Sequence, residues 1–168
     1  IETPEASLVI DTRPDFRYQM LRAPMRQLAA ILFTHSHKDH IAGLDDVRAY
    51  NYFQQKAMDV YATQHTQDAL RREFDYVFNA KNYPGIPQIN LNTIHPDEPF
   101  KINGLEILPI RVMHYHMEVL GFRINDFTYI TDANYIAPKE LNMIKGSKAF
   151  VLNALRREEH ISHYTLAE

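Results

Sequence analysis

Four strong metal-ligating side chains fall within six consecutive positions, His35-Ser36-His37-Lys38-Asp39-His40, directly after the apolar run Ala29 to Thr34 (AAILFT). A short apolar run that stops this abruptly reads as a buried strand. Beyond the histidines, Ile41, Leu44, Val47 and Tyr50 recur at helical spacing. The histidines therefore belong to a strand-to-helix loop, where a tight turn can aim several side chains at one point. If the loop stays extended, His35 and His37 project together, because alternate residues of an extended chain share a face. Asp39 and His40 then sit at the helix start, so one loop can serve two neighbouring ions. A solvated histidine-rich surface loop is the bland alternative; a His pair at i, i+2 followed by Asp-His behind a buried strand argues against it.

Composition narrows the ions. The chain has no cysteine, so its nine histidines and 21 carboxylates are the only strong ligands, which favours hard or borderline cations. With 18 basic residues the formal net charge is −3, giving no general attraction to nucleic acid or to an anionic membrane. A polyanionic substrate would need a local positive site, which a metal centre supplies. No apolar run approaches the roughly 20 residues that span a bilayer, and Ile1-Glu2-Thr3-Pro4 has no signal-peptide pattern. The expected location is the cytoplasm, with no membrane partner. At 168 residues, 45% of them apolar, a single domain over 1–168 is expected.

The rest of the chain alternates strand and helix signals. Ala6 to Asp11 (ASLVID) reads as a buried strand delivering Asp11 to its end, and Met58 to Ala62 as another. Gln64 to Phe78 predicts a helix with Leu70, Phe74, Val77 and Phe78 on one stripe and Thr63 as N-cap. The two prolines, glycine and two asparagines of Asn79 to Pro87 predict a surface loop. From Phe100 the pattern changes to four β-like runs, Phe100 to Ile102, Leu105 to Val112, Val119 to Ile124 and Phe127 to Thr131, with Asn103-Gly104 and Asn125-Asp126 as hairpin turns. A helix over Lys139 to Lys145 closed by Gly146, a strand over Lys148 to Leu152 and a polar, histidine-bearing tail follow. Strands with helices, then hairpins, then helices again suggest a mixed α/β fold of two sheets with helices outside.

The run THSHKDH resembles the His-x-His-x-Asp-His signature of the metallo-β-lactamase superfamily, among the more specific short metal motifs. That resemblance implies an αββα sandwich, a third ligand for the first ion from a later histidine, and a bridging aspartate at a strand end. His114 and Asp132 match these places; His35, His37 and His114 would hold one ion, Asp39 and His40 the other, with Asp132 bridging. His116 competes with His114, since two residues on it would share a strand face. A closer likeness decides for His114. Thr34 through Asn51, His114 seven residues before Gly121-Phe122-Arg123, and Tyr129-Ile130-Thr131-Asp132 resemble the phosphoribosyl 1,2-cyclic phosphate phosphodiesterase-like branch, itself similar to the tRNA 3′-processing endonucleases. In that branch an early aspartate supports the metal loop, matching Asp11, and a late histidine acts as general acid, matching His163 in preference to His160. Arg13 stands where glycine is common. The family's first strand would precede Ile1 and its last metal-binding histidine would follow Glu168, so the chain is expected to be part of a longer one lacking those two elements.

The function this implies is hydrolysis of a small or cyclic phosphodiester. Two divalent ions, Zn²⁺ or Mn²⁺, would activate a shared water with Asp39, His163 would protonate the leaving group, and His116 would touch the phosphate. The expected partner is that small-molecule substrate, with nucleic acid disfavoured and a homodimer compatible with the sequence. Two rivals remain: a thioesterase or lactonase on the same centre, and a non-catalytic metal-binding module. His65 and His95 read as surface histidines, Asp45 and Asp46 as helix-dipole partners, and Arg48 and Arg123 as ordinary ion-pairing arginines.

Overall fold

The computed structural model describes residues 1–23, 25–79 and 85–168, which form two compact units, Ile1–Ile94 and His95–Glu168. In the first unit, β1 (Leu8–Ile10), β2 (Ala30–Leu32), β3 (Met58–Ala62) and β4 (Ile89–Thr93) make an all-parallel sheet in that order. Helices connect each step: α1 (Phe16–Arg22) after β1; α2 (Lys38–Ile41), a 3-10 turn (Leu44–Val47) and α3 (Arg48–Gln54) after β2; α4 (Gln64–Glu73) and α5 (Asp75–Asn79) after β3. Parallel strands need such crossovers, and β2, the AIL run, is completely buried as central parallel strands are. Phe16, Ile31, Phe33, Leu44, Val47, Val60 and Leu70 share one apolar cluster. Because the strands are parallel, Asp11, Thr34 and Thr63 all emerge at the same edge, where sites in open parallel sheets lie.

The second unit is a five-stranded sheet ordered β5 (Phe100–Ile102), β6 (Leu105–His114), β7 (Met117–Ile124), β8 (Phe127–Ile130) and β9 (Ala149–Leu152). All pairings are antiparallel except β8 with β9, which are joined through α6 (Pro138–Ile144). Hence β6, β8 and β9 run the same way, and His114, Asp132 and Asn153 leave the sheet at one edge. Ile110, Val112, Val119, Ile130, Ala133 and Ile136 form a core cluster of this unit.

Several expectations need correction. The helical period from Ile41 to Tyr50 is not one helix: the chain tightens into the 3-10 turn, where Asp45 and Asp46 lie. Gly43 explains the tightness, since a Cβ there would stand 2.3 Å from the Arg13 carbonyl oxygen and 2.6 Å from Phe16 Cβ. Thr63 does cap α4, its hydroxyl accepting from Thr66 N–H at 3.3 Å, but the helix breaks at Phe74 and restarts as α5. The break keeps Phe74, Val77 and Phe78 on the same core cluster. Helix α1 and strand β4 were not foreseen. Strands β6 and β7 run to His114 and Met117, so His116 sits in the two-residue turn between them and does not share a strand face with His114. Of the loop expected over Asn79 to Pro87, residues 80–84 lie outside the described residues. The hairpin turns at Asn103-Gly104 and Asn125-Asp126 are present, with positive φ at Asn103, Gly104 and Asn125 as such turns require. Among the described residues no helix is long and apolar enough to cross a membrane.

Candidate metal centre

In the first unit the chemistry gathers around Asp11. This residue follows β1 with φ +60°, a left-handed conformation that aspartate tolerates better than most residues, and it is buried to 5% exposure. One carboxylate oxygen accepts from the Thr34 N–H at 2.9 Å; the other accepts from the Thr34 hydroxyl at 2.8 Å and from His40 Nδ1 at 2.7 Å. Burial pushes the Asp11 carboxyl above the usual carboxylate range, while His40 and Thr34 oppose that shift. The Thr34 hydroxyl has one proton, given to Asp11, so it accepts from His35 Nδ1 at 2.9 Å. Both buried histidines thus have Nδ1 occupied as a donor, which leaves each Nε2 as the nitrogen with a lone pair. Metal-binding histidines are oriented in this way, through a carboxylate or hydroxyl on the other ring nitrogen.

His37 is exposed at the N-cap of α2, its ring 4.6 Å from that of His35; the rings of His35 and His40 are 4.2 Å apart. Asp39, half-exposed, lies 3.4 Å from His40 Nε2 and 3.9 Å from an Arg13 guanidinium nitrogen. The segment carrying Asp11 is fastened to this helix: Thr12 N–H donates to the His40 carbonyl and Gly43 N–H to the Thr12 carbonyl, both at 2.8 Å.

In the second unit His114, Asp132 and His163 each offer a ligand atom, all within 4.8 Å of one another. Two imidazoles and a carboxylate in that space suit a borderline divalent cation. His114 Nδ1 donates to the Ser162 carbonyl at 2.8 Å, again leaving Nε2. Asp132, two residues beyond β8, has φ +53° and its carboxylate accepts from the Thr131 hydroxyl at 2.9 Å. The His163 ring lies 4.6 Å from His114 and 5.1 Å from His160.

His116 is exposed and its ring packs on Tyr115 at 3.7 Å. His65 and His95 are exposed, Arg48 pairs with Asp45 at 3.7 Å, and Arg123 donates to the Met143 and Lys145 carbonyls, closing the end of α6. His65, His95 and Arg48 behave as the sequence suggested, whereas Arg123 serves backbone carbonyls where an ion pair was expected. The open apolar groove of the first unit, lined by Phe16, Met20, Met25, Tyr50 and Phe53, contains none of the histidines. Sequence reasoning missed Thr34, whose place before His35 in the motif was the available signal. It also missed Asn134 and Ser162, which no local pattern marks.

The family model of the beta-lactamase superfamily domain matches residues 7–168. The chain belongs to this superfamily. It is 40% identical over 162 residues, 96% of its length, to a protein of Porphyromonas gingivalis (strain ATCC BAA-308 / W83) named octanoyltransferase, and spans 32% of that relative. Among solved structures it is similar to a diphosphatase from the PhnP family, at 32% identity and a TM-score of 0.88, covering 99% of this chain and 63% of the other. Human short-form tRNase Z shares the fold at 14% identity and a TM-score of 0.72, over 99% of this chain and 76% of that one. The mixed α/β architecture with two sheets is thus the metallo-β-lactamase fold.

Proposed function

We propose that this domain is a metal-dependent hydrolase whose preferred substrate is a small or cyclic phosphodiester. One observation carries the reading: a single buried carboxylate, Asp11, orients the rings of His35, through Thr34, and of His40, directly, by their Nδ1 atoms, as metal-binding histidines are oriented. In this reading the ligands of both units serve one pair of divalent ions, Zn²⁺ or Mn²⁺. His35, His37 and His114 would hold the first, Asp39 and His40 the second, and Asp132 would serve as a ligand shared by the two. Ions so held would lower the pKa of water and neutralise charge on a phosphoryl oxygen.

The protein's own groups do the rest. Asp39 orients the attacking water, Asp11 through Thr34 and directly keeps two imidazoles in the right tautomer, and His163 delivers a proton to the departing alkoxide. In this reading His116, exposed on its turn, would contact a substrate phosphate. The 32% identity to a diphosphatase supports phosphorus over carbonyl as the target. A second reading, hydrolysis of an acyl thioester or lactone, draws support from the octanoyltransferase name of a relative about three times as long. Purified protein loaded with Zn²⁺ or Mn²⁺ is expected to cleave bis-p-nitrophenyl phosphate and a cyclic ribose phosphate, and to lose that activity in His35→Ala. Turnover of octanoyl thioesters without any diester cleavage would replace the first reading by the second.

A further inference from the structure

Between the strand ends of the second unit, one side chain joins three segments that are distant in sequence. Asn134 Oδ1 accepts from the Tyr115 N–H at 2.7 Å, Asn134 Nδ2 donates to the Ile161 carbonyl at 3.0 Å, and the Asn134 N–H donates to the Met113 carbonyl at 2.9 Å. Tyr115 needs such a partner. It occupies the first position of the His114–Met117 turn with φ +57°, a left-handed conformation unfavourable to an aromatic residue. Ile161 in turn lies in a segment without helix or strand, between His160 and His163, so its anchorage comes from individual hydrogen bonds.

We propose that Asn134 is a positioning residue that sets His163 against His114 through the Ile161 carbonyl. The tie is short on both sides: Tyr115 adjoins His114, and Ile161 is two residues from His163. A further bond, His114 Nδ1 to the Ser162 carbonyl at 2.8 Å, runs alongside it and makes the two histidines sensitive to any slip of the 160–163 segment. Asparagine suits the task because its short side chain carries, on separate atoms, an acceptor for a backbone N–H and a donor for a carbonyl. Aspartate would keep the first bond and lose the second.

This inference rests on His163 acting as proton donor, and the experiment separates the two. Asn134→Asp is compared with the parent, with His163→Ala and with the double variant. The substrates are a p-nitrophenyl diester, whose leaving group needs no proton, and an alkyl diester, whose leaving group does. The expected result is a loss of about 10²-fold in kcat on the alkyl diester, little change on the p-nitrophenyl diester, unchanged zinc content, and no added loss in the double variant over His163→Ala. Ring ¹⁵N–¹H spectra supply a readout free of activity. Signals of His163 and His160 should move in Asn134→Asp while those of His35 and His40 stay. Equal losses on both substrates, or His163 signals that do not move, would overturn the positioning role. A parent that cleaves neither diester would refute the functional reading and leave the spectra to judge Asn134. If Asn134→Asp does not fold, Asn134→Ser, which keeps a shorter acceptor, is measured in the same way.

Discussion

At the scale of single residues, orientation matters more than the ligands' identity. The histidines and Asp39 stand out as candidate ligands by their density and spacing, and His114, Asp132 and His163 as candidates by their likeness to a family pattern. What aims them was only half legible: Asp11 stood out at a strand end, whereas the hydroxyl of Thr34, linking Asp11 to His35, looked like an ordinary strand terminus. Asp11→Ala should therefore cost roughly 3 kcal/mol in urea unfolding, the usual price of breaking a buried charged hydrogen-bond network. It should also weaken zinc binding 10- to 100-fold in a competition titration. Thr34→Val keeps the shape and removes the relay; about tenfold weaker zinc binding is expected with a smaller loss of stability, on the order of 1 kcal/mol. Zinc affinity unchanged in both variants would mean that the network serves folding alone.

Among the elements, the strands other than β4 were read well and the helices unevenly. β3 matches its expected span, and the hairpins followed from Asn-Gly and Asn-Asp turns, because β alternation and turn chemistry are local signals. The helix after the histidine loop was misread as continuous, since a period of 3.6 residues does not reveal a contact with another segment. That contact is at Gly43, where the Arg13 carbonyl takes the space of a side chain. Gly43→Ala should lower stability by about 1 to 3 kcal/mol through overpacking and disturb the metal loop as well. Gly104→Ala, at φ +90° with nothing within 4 Å of the added Cβ, should cost about 1 kcal/mol and leave metal binding intact. Comparing thermal midpoints and zinc titrations of the two separates steric from conformational loss. The break between α4 and α5 likewise depends on side chains that no local pattern exposes: Lys38 pairs with Glu73, and the Tyr76 hydroxyl donates to Asp45. Burial and then the Asp45 carboxylate push the Tyr76 phenol up to about 12. Because the raised value favours the neutral phenol, its stabilising effect is complete below the ordinary tyrosine range near 10 and disappears as pH rises through about 12. An ultraviolet titration should show one phenol ionising last, and Tyr76→Phe should remove that late step.

For the molecule as a whole, composition was informative mainly through cysteine: its absence left histidine and carboxylate as the ligands, which fits both clusters. Topology explains why residues far apart in sequence can cooperate within each unit. Parallel strands bring Asp11 and the 34–40 loop to one edge of the first sheet, and β6, β8 and β9 bring His114, Asp132 and Asn153 to one edge of the second. Strand order across a sheet is a long-range property, and the family resemblance, more than periodicity, made it foreseeable. In the proposed centre His114 and Asp132 bind the same pair of ions as the 35–40 loop, and anomalous diffraction from crystals of the zinc-loaded protein tests this. Two adjacent peaks are expected, one with Nε2 of His35, His37 and His114 at roughly 2.1 Å, the other beside Asp39 and His40, with Asp132 between them. Separate ions on the two clusters, or zinc confined to exposed side chains, would contradict it.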